Sequence, residues 1–356
     1  MKRDFSPILA QWDITSGCNF SCSFCLTNSG KIQEGELDYD KAKKIVDRLY
    51  EGGVLFLRVL GGEPFFRQDM TKIMHYASEK GMLISFSTNA ALITNNMAKM
   101  LKDIEESINY FQVSLYGVDS ESYSQKTKSG EGFEYVTRGI SNLKNNGLDP
   151  YVFWVLTDDN VGQLVPAYEL VRQWELPAMR ISPKLNLGRA ACDINESKPG
   201  TYWSEAISAF IVLNDISGET DSPAVQLHAR PYLGEFLNDI TGLKYFYITC
   251  KAAATMVYVD CRGDVSPCPF SGFMPEDYRR AFDGQNKISL LTHKLRDIWD
   301  SEPFRQYRHY QHPDMNPNNV FKDCPHLRSG MCNPCIYTPC TCRASIQMIY
   351  SALGMT

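Results

Sequence analysis

The chain has 356 residues, of which 44% are hydrophobic and 22% charged, with a formal net charge of -5. That length is more than one ordinary domain, the composition excludes a disordered chain, and the acidic balance gives no electrostatic reason to expect nucleic acid or an anionic membrane as the main partner. The opening stretch lacks the apolar run of a signal peptide and no later segment approaches a membrane span, so a cytoplasmic location is expected.

In chain order, apolar runs of strand length are predicted at 9–15, 54–60, 83–87, 111–115, 151–156 and 179–182. Helical periodicity falls between them at 40–51, 69–80, 95–107, 133–146 and 161–174, with Gly52, Gly53, Gly81 and Gly147 as stops and Asp69 and Thr94 as caps. Alternation of this kind is α/β with parallel strands, and six units suit a partial (β/α)6 barrel; a doubly wound open sheet is compatible with the same pattern. A further helix is predicted over 198–215, then a linker over 215–223. The expected division is 1–215 for the barrel and 216–356 for a small Cys-rich domain held by metal more than by a large apolar core.

The first strand runs into Cys18, Cys22 and Cys25. Thiolate is the soft ligand that iron–sulfur clusters select, and three on one short loop can hold a cluster while leaving one iron without a protein ligand. A structural zinc knuckle is the bland alternative, but closed zinc sites take four ligands and the next cysteine, Cys192, lies far along the chain and reads as a lone packed thiol. The next three strands end in Gly61, Gly62, Glu63 and Pro64; in Ser87, Thr88 and Asn89; and in Ser114 with Tyr116 and Gly117. Parallel sheets gather ligands at the carboxyl ends of their strands, so all four loops share a rim. There the diglycine is expected to let backbone approach a ligand, Glu63 to meet an ammonium, and Asn89 and Ser114 to meet hydroxyls. Each alone is more often a tight turn with a helix cap.

The order CNFSCSFC, GGEP, STNA, VSLYG over roughly 8–190 resembles the radical S-adenosylmethionine (SAM) enzymes. The resemblance implies that Cys18, Cys22 and Cys25 hold a [4Fe-4S] cluster whose open iron chelates S-adenosylmethionine. Reductive cleavage would then give a 5′-deoxyadenosyl radical that abstracts a substrate hydrogen. Phe24 matches the position near adenine, Gly61, Gly62, Glu63 and Pro64 match the segment meeting the methionine amino group, and Thr88, Asn89 and Ser114 lie where ribose or carboxylate is met. Ala90 stands where the family often has glycine, which a negative φ would tolerate. Downstream, Cys250, Gly263 and Cys268 resemble the opening of the SPASM-type auxiliary-cluster extension. Cys332, Cys335, Cys340 and Cys342 stand in its second portion, with Cys261 and Cys324 as further thiols. Eight thiols suffice for two fully ligated [4Fe-4S] clusters, so one or two auxiliary clusters are expected; their pairing is open, and zinc stays an alternative for the Cys-x-x-Cys.

Such chemistry makes two substrates natural: a ribosomally made peptide modified oxidatively, or a small molecule such as a tetrapyrrole, sugar or alcohol undergoing oxidation or decarboxylation. Arg180, Lys184 and Arg189 are candidate contacts to carboxylates or phosphates, against a solvated basic face. About ten residues precede the first strand, so a separate leader-peptide recognition protein is expected, with flavodoxin or ferredoxin as reductant. An iron–sulfur electron carrier or zinc-organised interaction module would need the cysteines but not the rim.

Overall fold

The computed structural model describes residues 6–184, 188–189, 199–219, 221–229, 231–247, 250–271, 287–311, 346 and 349–350. Eight strands lie side by side in chain order, every neighbour parallel: β1 (Leu9–Asp13), β2 (Phe56–Leu60), β3 (Leu83–Thr88), β4 (Ile108–Leu115), β5 (Tyr151–Leu156), β6 (Ala178–Pro183), β7 (Ala224–Ala229) and β8 (Tyr245–Tyr247). The six anticipated strands are all present and the series continues for two more. The linker expected at 215–223 falls at the junction between a helix ending at Ser217 and β7 starting at Ala224, within one continuous sheet. On the free edge of β1 a later segment adds β9 (Met256–Val259), again parallel, followed by antiparallel β10 (Asp264–Ser266) and β11 (Ile288–Ser289).

Helices α1 (Tyr39–Glu51), α2 (Met70–Glu79), α3 (Asn95–Lys102), α4 (Ser120–Thr127), α5 (Gly132–Asn145), α6 (Leu164–Gln173), α7 (Pro199–Ser217) and α8 (Pro231–Thr241) form the crossovers. In α1, Ala42, Ile45, Val46 and Leu49 share one buried stripe, and Asp38 caps its first turn by accepting from Lys41 N at 2.9 Å. Thr94 caps α3 as expected, through Met97 N. Asp69 does not cap α2; Arg67 takes its carboxylate in a two-pronged pair at 2.7 and 2.8 Å. α4 was not anticipated, because its sequence SESYSQKT has little apolar period; a capping box between Asp119 and Ser122 starts it.

Along each strand one face is apolar and covered by helices, as with Ala10 and Trp12, Leu57 and Val59, Ile84 and Phe86, Val152 and Trp154. Phe86 and Phe111 stack there at 4.7 Å. The other face carries Gln11, Asp13, Arg58, Ser85, Ser87, Tyr110, Gln112, Ser114, Tyr151, Phe153, Arg180, Gln226 and His228. Next-but-one strands in a flat sheet are about 10 Å apart. Yet the rings of Phe153 and His228, on β5 and β7, sit 6.2 Å apart, and Arg180 on β6 reaches to 5.3 Å from the Tyr110 ring on β4. The sheet therefore curls over this polar inner face, as an incomplete barrel does.

Candidate iron–sulfur and cofactor site

The loop after β1 is pinned from several sides. Cys18 N donates to Gly30 O at 2.8 Å and Gly30 N to Ser16 O, closing the loop on itself. Glu36 gathers Thr15 Oγ1, Ser16 N and Ser16 Oγ, so its carboxyl, although burial alone would raise its pKa, is held below the ordinary range by these donors. At the far side, Ser21 N and Ser23 N donate to the carbonyls of Thr127 and Lys126 at the C-terminus of α4. Arg189 closes the clamp: its Nε donates to Cys22 O at 2.7 Å, an Nη to Ser29 O at 2.9 Å, and its backbone N to Cys25 O. Gly188, with φ of +60°, lies against the Cys25 and Leu26 carbonyls, where a Cβ would not fit. Arg189 thus holds the cysteine loop by its backbone. Neither Glu36 nor α4 stood out in the sequence, and Arg189 stood out only as a candidate anion contact, since each acts on the loop from a distance of many residues.

The diglycine works inward too. A Cβ on Gly61 would strike Thr15 O and one on Gly62 would strike Gly17 O, while Gly62 N and Glu63 N donate to those same two carbonyls at 2.8 Å. The close approach is to the cysteine loop itself. Glu63 is likewise turned inward, 1% exposed, accepting from Thr88 Oγ1 at 2.6 Å, Asn89 N at 2.7 Å and Phe65 N at 3.2 Å. Burial pushes its pKa up to about 7 against the pull of those donors. Pro64 begins the short turn behind it. Asn89 then reaches the loop, donating to Asn19 Oδ1 at 2.9 Å. Ala90 has φ of +58°, not the negative value anticipated, and packs under Gly139 of α5; an alanine held there costs roughly 1–2 kcal/mol. Phe24 meets Tyr116 edge-on at 4.9 Å, and Tyr116 bonds to Ser114.

The donor set suits a cubane better than a single ion. Three thiols on one loop fall short of the four ligands of a closed single-ion site, whereas a [4Fe-4S] cluster takes one thiolate on each of three irons. Burial pushes the Cys18 thiol up to about 11 and the Cys22 thiol up to about 12, and Coulomb repulsion among Cys18, Cys22 and Cys25 adds to it. A bound metal centre would offset that cost at Cys18 and Cys22. Two buried hydroxyls, Ser87 Oγ on the inner face and Tyr123 Oη behind Phe20 and Tyr116, have no hydrogen-bond partner. Of the two, Ser87 Oγ lies on the face that opens to the rim, and its unspent donor fits a ligand there, whereas Tyr123 Oη is closed off by the rings.

In the C-terminal part, Cys250 precedes β9, Cys261 sits in the β9–β10 turn and Cys268 follows β10. Gly263 makes the turn at φ of +85°, and Asp260 braces it by accepting from the backbone N of Arg262 and Asp264, each at 2.9 Å. Asp260 is therefore a turn residue. Gln311 Nε2 donates to Cys250 Sγ at 3.4 Å and Phe270 N to Cys268 Sγ at 3.4 Å, while Tyr258 Oη donates to Asp13 Oδ2 at 2.7 Å, tying this hairpin to β1. Cys192, Cys324, Cys332, Cys335, Cys340 and Cys342 lie outside the described residues.

Comparison with known proteins fits this geometry. Residues 12–171 match the radical SAM superfamily and residues 250–325 match SPASM, an iron–sulfur cluster-binding domain. The chain thus carries a radical SAM domain match over 12–171 and a SPASM match over 250–325. These two domains imply S-adenosylmethionine and [4Fe-4S] clusters as cofactors. Fe-coproporphyrin III synthase of Methanosarcina barkeri is 29% identical over 55% of this chain and 48% of its own length. Mycofactocin maturase MftC of Mycolicibacterium smegmatis is 28% identical over 75% of this chain and 65% of its own. The chain thus spans between about half and two thirds of those relatives. Streptococcus suis SuiB, solved bound to precursor peptide SuiA, shares the fold at a TM-score of 0.68 and 14% identity, over 94% of this chain and 76% of its own.

Proposed function

We propose that this chain is a radical SAM peptide maturase. When bound, the cluster and S-adenosylmethionine supply a 5′-deoxyadenosyl radical, which takes a hydrogen atom from substrate. The observation that carries the reading is the cysteine loop, clamped by Arg189, α4 and the Gly61–Gly62 turn, standing at the rim of an open polar inner face. Cys18, Cys22 and Cys25 would hold the first cluster; Gly61, Gly62, Glu63, Pro64, Thr88, Asn89, Ser114 and Phe24 would shape the cofactor's seat. Within that set, Glu63 positions the Thr88–Asn89 turn through its three hydrogen bonds. Cys250, Cys261 and Cys268 would bind auxiliary iron together with Cys324, Cys332, Cys335, Cys340 and Cys342, in one or two clusters. We place the functional boundary near residue 215, the protein in the cytoplasm, flavodoxin or ferredoxin as reductant and a separate leader-binding protein beside it.

A peptide substrate is supported by the likeness to MftC and by a fold shared with a protein that binds a precursor peptide. Its expected products are a crosslinked, dehydrogenated, decarboxylated or rearranged peptide. The second reading, a small-molecule oxidation or decarboxylation, rests on the comparable likeness to Fe-coproporphyrin III synthase. The deciding experiment co-expresses the protein with short open reading frames from its own genomic neighbourhood and weighs the peptides. A mass decrease matching lost hydrogens or carbon dioxide, absent with the Cys22→Ala protein, is expected. Unmodified peptides beside a porphyrin substrate consumed by the reconstituted protein would overturn the peptide reading.

A further inference from the structure

The inner face carries two guanidinium groups with no acid to balance them among the described residues. Arg58 on β2 has a buried Nε without a hydrogen-bond partner. Arg180 on β6 lies 3.7 Å from the centre of the Tyr151 ring and donates through Nε to Gln226 Oε1 at 2.9 Å. Neither forms a salt bridge among the described residues. The one carboxylate on this face within the described strands, Asp13, is occupied by Tyr258. His228 is a neighbour whose imidazolium is disfavoured by burial, then by Arg180 and Arg58, so the ring is neutral at pH 7. Two half-buried cations left without an anion are costly in a protein that does not use them.

The surroundings narrow the ligand. Ser114, Phe153, Arg180 and Gln226 occupy one register row across β4, β5, β6 and β7. Two strand spacings, about 10 Å, thus separate Arg180 from Ser114 at the cofactor rim. Tyr110 and Tyr151 lie 5.2 Å apart under Arg180, and Phe153, His228 and Phe246 continue an aromatic wall to the sheet's far edge. A planar fork over aromatic faces suits a flat carboxylate on an apolar stem.

We propose that Arg58 and Arg180 form an anchor for the carboxylate of the substrate, whose apolar stem lies along Tyr110, Tyr151 and Phe153. This rests on the radical SAM reading of the rim but makes a claim that binding alone can test. The substrate class is then an organic acid, presented either by a small molecule or by a peptide terminus.

The test is calorimetric titration of the anaerobically reconstituted full chain with two acid and amide pairs, 3-phenylpropionate with 3-phenylpropionamide and Gly-Gly-Phe with its C-terminal amide, and with inorganic phosphate. At least one acid should bind, about tenfold or more tighter than its amide, and Arg58→Gln and Arg180→Gln should each weaken that acid by a similar factor. Circular dichroism and iron content, unchanged in both variants, show that they fold; Arg180→Lys serves in place of a variant that does not, and should recover only part of the affinity. Which acid binds tighter distinguishes small molecule from peptide terminus. The proposal is overturned if acid and amide bind alike, if neither acid binds, if phosphate binds as well as the acids, or if folded arginine variants bind undiminished. Failure here with S-adenosylmethionine still cleaved leaves the radical reading intact, and acid binding without cleavage does the reverse.

Discussion

At the scale of single residues, most polar side chains around the cysteine loop serve the loop and not the ligand. Arg189 is the clearest case, spending its donors on the Cys22 and Ser29 carbonyls. Removing it leaves two part-buried acceptors short of a partner, about 1–3 kcal/mol of local stability. Arg189→Gln should therefore lose iron from the N-terminal site to a chelator several times faster than the parent, with the C-terminal iron unaffected; equal rates would show that the clamp is dispensable. His228 gives a pH signature of the inner face. Its pKa is pushed down to about 4, chiefly by burial and then by Arg180 and Arg58, while the unfolded chain has 6.5. A base depressed in this way contributes fully above pH 6.5, and the contribution is lost as pH falls through that value toward 4. Phe153 and Phe246, which flank the ring, do not titrate. After allowance for solvent screening the loss is on the order of 1–2 kcal/mol. Urea unfolding between pH 7 and pH 5 should show a shallower decline in His228→Asn than in the parent; parallel declines would remove His228 as the cause.

At the scale of elements, the sequence was most readable where a period or a sharp motif stood in it. Strands 151–156 and the helix near 40–51 were legible because Val152, Trp154 and Leu156 alternate, and because Ala42, Ile45, Val46 and Leu49 recur at helical spacing. α4 was hidden because its helix is set by a cap and by its service to the loop, with only Tyr123, Lys126 and Thr127 buried. β7 lay beyond a stretch rich in Ser, Gly and Asp that looked like a linker. At the rim the positions were readable but their direction was not: Glu63 and both glycines face the protein, which no spacing reveals. That difference changes what a substitution does. Gly62→Ala puts a methyl on the Gly17 carbonyl, an overpacking of about 1–3 kcal/mol borne by the cysteine loop. The variant should lose iron from the first site as well as cofactor affinity. Full iron with only cofactor affinity lost would return the diglycine to a ligand-facing role.

At the scale of the whole molecule, one sheet carries both halves of the chain: β9 pairs with β1, and the Tyr258–Asp13 bond crosses at the same junction. The hairpin holding Cys261 and the loop holding Cys18 thus both follow the carboxyl ends of adjacent parallel strands, and auxiliary iron bound through Cys261 would sit fixed at the barrel edge. The central claim is that the clamped loop performs reductive cleavage of S-adenosylmethionine. Its most direct test is anaerobic reconstitution with iron and sulfide, reduction in the presence of S-adenosylmethionine, and mass spectrometry for 5′-deoxyadenosine, with Cys18→Ala alongside. The account predicts 5′-deoxyadenosine from the parent and none from Cys18→Ala, which should still retain C-terminal iron. Equal formation by both proteins, or a parent with full clusters that neither binds nor cleaves S-adenosylmethionine, would contradict it.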